Sequence, residues 1–315
     1  MTLKSKPPSI QDEVDDLERR LKDAKQRLNN PNAAATPASI SAPPDQIPPP
    51  TLPHSLLLLS DSALPLGSFA YSSGLESYLA HTKPLPRGVT PTASFHHFLS
   101  LSLASIASTT LPYLLAAHRD PTLLETLDND LDASTPCTVA RRASVAQGLA
   151  LLGVWERAFK DPYTTPTTPS SSSSLSFSTS PSPSQSAAAV AALSTFSTSL
   201  KTSFTNNTSL TEKPNGHLPP LFAVVCVAMG IDIAAAAYVY MLNHAKAVLS
   251  AAVRASVMGP YQAQGVLASR WLQEVISQRI RGEWERSVEE AGQVVPVVDL
   301  WVGRHEVLYS RIFNS

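Results

Sequence analysis

The sequence predicts an all-α protein, and three observations carry that expectation. From residue 52 onward apolar residues recur at helical spacing, no run alternates as a strand does, and no Asn-Gly turn joins two such runs. The chain has 315 residues, 27 of them proline, and much of the proline gathers in two stretches, so fewer residues fold than the length allows. A formal net charge of −1 gives no basis for binding nucleic acid or an anionic membrane surface.

Residues 1–51 read as an N-terminal extension. Ile10, Val14, Leu17, Leu21, Ala24 and Leu28 follow one another at steps of four and three, an a/d seam flanked by charged residues. The seam is shorter than a stable coiled coil needs, and a solvated helix fits it equally. The stretch NPNAAATPASISAPPDQIPPP that follows reads as an extended linker. The first residues lack the apolar core of a signal peptide, and their acids disfavour a mitochondrial presequence.

Residues 52–315 read as a single helical domain. Residues 94–117 form a helix kinked or broken at Pro112. Residues 139–159 put Val145, Leu149, Leu152 and Phe159 on one face. A serine- and proline-rich insertion spans about residues 162–216. Its first part, to about residue 186, has too few bulky apolar groups to offset chain ordering and is expected to be disordered. A weak helix at residues 187–200 and a polar loop to His217 complete it. Asp232 caps a helix running from Ala234 to Val257, which Met258, Gly259 and Pro260 stop. Leu272, Val275, Ile276 and Ile280 mark a further helix within residues 267–284. The most membrane-like stretch, residues 221–249, is interrupted by Gly230 and Asp232 and reads as buried core, so no membrane span is expected.

The most informative segment is residues 56–80, LLLLSDSALPLGSFAYSSGLESYLA. Pro65, Gly67 and Gly74 break what its apolar residues would otherwise make one helix, and Asp61, Ser62, Ser68, Ser72, Ser73 and Glu76 crowd the break with hydrogen-bonding groups. Ser72 or Ser73 is placed to cap the helix that starts near Gly74, with Glu76 in its first turn. On spacing alone a plain helix–loop–helix corner is the commoner explanation.

This segment resembles the N-terminal signature of the UreF family of urease accessory proteins. Asp61, Pro65, Gly67, Phe69, Ser72 (or Ser73), Gly74 and Glu76 occupy its places. Three further stretches are similar to the family in the same order. They are ARRASVAQGLALL at residues 140–152, the alanine-rich pair at residues 217–258 that includes Arg254, and the closing WVGRHEVLYSRIFNS. The resemblance implies an all-helical, dimeric, non-enzymatic scaffold. It would bind a UreD (UreH) accessory protein and recruit the nickel-carrying GTPase UreG to apo-urease. The family's C-terminal tail is tied to UreD binding, which makes Arg304, His305, Leu308, Tyr309, Arg311 and Phe313 the candidate partner contacts. Read without the family, the tail is a final helix docked on its own core. Arg254 reads as a GTPase contact or as one half of an internal ion pair or dimer contact, and the latter is the reading taken.

Catalysis finds no motif: the chain has no phosphate loop, no nucleophile elbow and no His-Glu-x-x-His. Regulation of GTP turnover by a UreG-like partner is the alternative function, and a helical module released from urease work is a third. Among eight histidines none forms an i, i+4 pair on a helix, and His96 and His97 project about 100° apart, so no metal ligand set is assigned. No tightly bound cofactor is expected, and nickel is handled by the assembled complex. Two cysteines, Cys137 and Cys226, allow no disulfide framework and fit a reducing, cytoplasmic compartment.

Overall fold

A computed structural model of the chain describes residues 54–164, 181–205 and 213–314, together with Glu18, Arg19, Leu21, Lys22 and Lys25. The chain divides into two units, Met1–Thr51 and Leu52–Ser315. In the first, the described residues are helical and exposed, and the remainder of the heptad seam and the linker lies outside the described residues. So do residues 165–180 and 206–212 of the insertion.

The second unit is helical throughout, with no strand among the described residues. In chain order the helices are α1 (His54–Ser60), α2 (Leu75–His81), α3 (Pro91–Arg119), α4 (Leu124–Ser134) and α5 (Thr138–Val154). A π-helical turn, Trp155–Phe159, leads into α6 (Lys160–Thr164). There follow α7 (Pro183–Thr205), α8 (Leu218–Ala228), α9 (Ile233–Arg254), α10 (Pro260–Leu267), α11 (Arg270–Glu283) and α12 (Pro296–Arg304).

The centre is α8, where every residue from Pro219 to Ala228 is buried. An apolar helix with no polar face needs neighbours on all sides, and α3, α4, α5, α7 and α9 surround it. The long helix α3 forms the other half of the core. Thr90 caps it, its side chain accepting from Ala93 N at 3.1 Å, and Pro91 sits in the first turn, where its missing N–H is harmless. Helix α3 alone among the described helices is long and apolar enough to cross a membrane, and 78% of its most apolar window is buried inside the fold. The stretch that looked most membrane-like is two helices, α8 and α9, separated at Gly230 and Asp232 as expected. Asp232 caps α9 by accepting from Ala234 N and Ala235 N, both at 3.0 Å.

Four elements differ from the sequence reading. Helix α9 ends at Arg254 rather than Val257, and Gly259 and Pro260 open α10 instead of stopping α9. Helix α3 runs unbroken through Pro112. The ring leaves the carbonyl four residues back without a helical donor, and Gly292 N–H fills that place, donating to Ser108 O at 3.1 Å. Helix α7 is longer than the weak helix expected at residues 187–200. It buries Ala189, Leu193, Phe196 and Leu200, a four–three spacing that packs on α8. The buried face of α5 is Gly148, Leu151 and Leu152, continued by Trp155, while Val145 and Leu149 are only partly buried. Gly148 turns the face, because α8 approaches α5 over it.

At that approach the chain returns to the core after the insertion. Asp128 on α4, fully buried, accepts from three consecutive backbone N–H groups: Asn215 at 2.6 Å, Gly216 at 3.0 Å and His217 at 2.6 Å. His217 is itself buried, with Nε2 3.1 Å from Asp132 Oδ1 and Nδ1 3.1 Å from Ser144 Oγ. Ser144 Oγ also accepts from Leu218 N at 3.3 Å. The serine and glycine of the ARRASVAQGLALL stretch thus hold the start of α8.

Candidate functional site

The corner between α1 and α2 is built from residues 61–75. Asp61 closes its first turn, accepting from Ala63 N at 2.9 Å. Gly67 (φ 70°) and Gly74 (φ 85°) occupy the left-handed region that favours glycine. Gly74 is required twice over, since a Cβ there would meet Val302 N of α12 at 3.0 Å. Gly74 itself stands at the cap of α2, so neither serine occupies the cap position. Ser72 reaches one turn further, its Oγ 3.4 Å from Glu76 N. Ser68 donates to Gln147 Oε1 on α5 at 2.7 Å, which ties the corner to the second family-like stretch. Pro65 is exposed and Phe69 is 66% exposed.

Helix α12 leads into the tail. Val298 and Val302 pack on Val139, and Trp301 meets Tyr78 of α2 edge-on at 4.7 Å. After α12 the chain turns back over the corner, and Glu76 receives it. His305 Nε2 lies 3.0 Å from Glu76 Oε2, Ile312 N donates to Oε1 at 2.7 Å, and Phe313 N donates to Oε2 at 3.2 Å. Asn314 N donates to Ala70 O at 2.8 Å. Phe313 is 4% exposed under the guanidinium of Arg254, which sits 4.4 Å from the ring centroid. The same guanidinium donates to Phe69 O. Arg254 therefore acts through a carbonyl and an aromatic face, a geometry suited to a planar cation. Among the described residues it joins no ion pair. Glu306 bridges Arg142 and Arg311, and its hydrogen bonds to these two cations lower its pKa.

The six tail residues singled out in the sequence thus separate into two sets. His305 and Phe313 point inward and are buried, and Leu308 is half-buried. Arg304, Tyr309 and Arg311 are exposed. Two apolar residues that sequence reading missed, Val307 and Ile312, are 75% and 64% exposed beside them. Nothing in their spacing marks them, because the tail beyond residue 307 is not helical.

Behind the corner lies a cavity of about 880 Å³, whose walls include Ser102, Ser105, Gln147, Tyr240, Asn243 and His244. His244 Nε2 lies 2.8 Å from Ser102 Oγ, and burial lowers the imidazole pKa to about 4. In the unfolded chain the ring titrates near pH 6.5. Between those values the unfolded state binds the extra proton, so the stability this group contributes is complete above pH 6.5 and is lost as pH falls toward 4. His118, also lowered by burial, adds to the same slope. His244→Gln is expected to flatten the dependence of the urea midpoint on pH across that window, and an unchanged slope would count against burial as its cause. Among the described residues no three His, Cys, Asp or Glu side chains gather as a metal site.

The fold and the site define an all-helical protein whose motif residues join the two ends of one domain. Comparison with known proteins gives the family. The UreF family model matches residues 89–270. The "Uncharacterized urease accessory protein UreF-like" of Schizosaccharomyces pombe is 33% identical over 262 residues, covering 83% of this chain and 97% of its own. "Urease accessory protein F" of Oryza sativa subsp. indica is 30% identical over 261 residues, 81% and 82% of the two chains. "Urease accessory protein UreF" of Actinobacillus pleuropneumoniae is 24% identical over 267 residues, 83% and 98%. The chain belongs to the UreF family.

Proposed function

We propose that this chain is a urease maturation factor. In this reading it works as a scaffold and performs no bond chemistry itself. It couples a UreD-like protein and a UreG-like GTPase to apo-urease in the cytoplasm, as a homodimer, and nickel is the cargo of that assembly. The family supports the urease connection, since the relatives above carry the name of urease accessory proteins. The single observation that carries the scaffold reading is the divided tail. Its inward residues hold it on the corner, and Val307, Tyr309 and Ile312 are left facing solvent. Aromatic and aliphatic residues beside arginine are the composition of interface anchors.

The test is nickel content. Cells lacking this chain should accumulate urease protein with little bound nickel, and the intact chain should restore it. Tyr309→Asp combined with Ile312→Asp should fail to restore it, while leaving the melting temperature of the purified chain within about 2 °C, as surface substitutions do. Full restoration by the doubly substituted chain would remove the outward tail from the proposed partner surface.

A further inference from the structure

We infer that Glu76 is a positioning residue, which closes the tail into a loop and thereby sets the outward surface of Val307, Tyr309 and Ile312. The inference rests on the scaffold reading for its consequence but not for its geometry. One carboxylate holds both ends of the segment from residue 305 to residue 313. Its Oε2 meets His305 Nε2 at the beginning, and its two oxygens take the amides of Ile312 and Phe313 at the end. A carboxylate only accepts, so His305 carries its proton on Nε2. The His305 side chain is fully buried, and its Nδ1 has no hydrogen-bond partner. Glu76 is therefore the polar contact that offsets burial of that ring.

Compact loops of this length keep their shape when their ends are held together. Past the 3₁₀ turn His305–Val307 the tail has no regular structure of its own. Other contacts fasten the tail beside it. Phe313 fills its socket beneath Arg254, Asn314 N meets Ala70 O, and Glu306 joins Arg142 to Arg311. Arg142 also donates to Asn314 O at 3.4 Å and so joins residue 306 to residue 314, but none of these contacts reaches His305 or the Ile312 and Phe313 amides. Tyr309 stands in the middle of the closed loop and is fully exposed.

Glu76→Gln isolates the effect, because the amide keeps the volume but offers one acceptor and sets its own N–H groups among donors. The experiment is amide hydrogen exchange on the full-length wild-type chain and on E76Q, with the affinity of each for the UreD-like protein measured in parallel. In E76Q the Ile312 and Phe313 amides should exchange at least about tenfold faster, the worth of one lost charge-assisted hydrogen bond. The amides of α3 and α8 should be unchanged, and the affinity should fall about tenfold or more. His305→Phe keeps a ring of similar size without the Nε2 donor. It should loosen the same two amides, which guards against a folding defect peculiar to E76Q. Unchanged protection at Ile312 and Phe313 in both variants overturns the inference. Lost protection with unchanged affinity overturns the presenting role. If the wild-type chain does not bind the UreD-like protein while E76Q frees the tail, the closure stands and the scaffold reading falls.

Discussion

Gly148→Ala is expected to be the most damaging single methyl in this protein. The added Cβ would lie 2.7 Å from both His217 C and Leu218 N, which are backbone atoms at the start of α8. Backbone has no rotamer to change, so α5 and α8 must separate. Helix α8 is buried on every side, and moving it disturbs the whole core. The expected loss is at or above the top of the usual overpacking range, about 3 kcal/mol. That corresponds to a fall of roughly 6–12 °C in melting temperature for a domain of this size. The same helix supplies the control. An added Cβ at Gly153 meets nothing within 4 Å, so Gly153→Ala should be neutral or stabilising by up to about 1 kcal/mol through helix propensity alone. If the two substitutions shift the melting temperature alike, the close approach of α5 and α8 is wrong.

Asp128→Ala should follow closely. The carboxylate is fully buried and accepts from the three N–H groups that bring the chain back to the core at residues 215–217. Alanine leaves those donors without a partner, and each buried orphan costs about 1–3 kcal/mol. The combined loss is expected to be at least about 3 kcal/mol, read as a shift in urea midpoint with an unchanged slope. Asp128→Asn keeps one oxygen and should fall between alanine and wild type. Because Gly148 and Asp128 hold the same segment, their double variant should lose less than the two single losses added together. Simple additivity would show that the two residues do not support one structure.

Local signals in this sequence were legible and distant ones were not. The stop of α9 was placed at Gly259 and Pro260, which instead open α10, but Asp232 as its cap follows from residues within one turn of the event. So does the all-helical class. Pro112 misled because its effect depends on Gly292, which the fold brings beside Ser108 from far along the chain. The face of α5 was misjudged because glycine counts as no apolar residue, yet Gly148 is where the closest neighbour lies. Helix α7 was underrated because serine and alanine dominate its sequence, while its four buried residues are spaced for α8.

The site was legible as motifs and illegible as a structure. Glu76 was visible as an acid in the first turn of a helix, where the dipole alone justifies it. That it receives a segment more than two hundred residues away is a property of the closed fold. The family resemblance covered both the corner and the tail, but gave no sign that they touch. Nor did it separate His305 and Phe313, which anchor the tail, from Tyr309 and Arg311, which face solvent. Arg254 shows the same limit: composition suggested an ion pair, and the structure places it between a carbonyl and two aromatic rings.

The proposed role is assembly of partners through a tail folded onto the corner at residues 61–75. The most direct measurement is co-purification of the full-length chain with a UreD-like and a UreG-like protein, using wild type and the Tyr309→Asp, Ile312→Asp double variant. A stable complex is expected for wild type, and its loss for a variant that remains folded. A complex that forms equally well with both would contradict the assignment of the tail. A wild-type chain that binds neither protein would contradict the scaffold function itself.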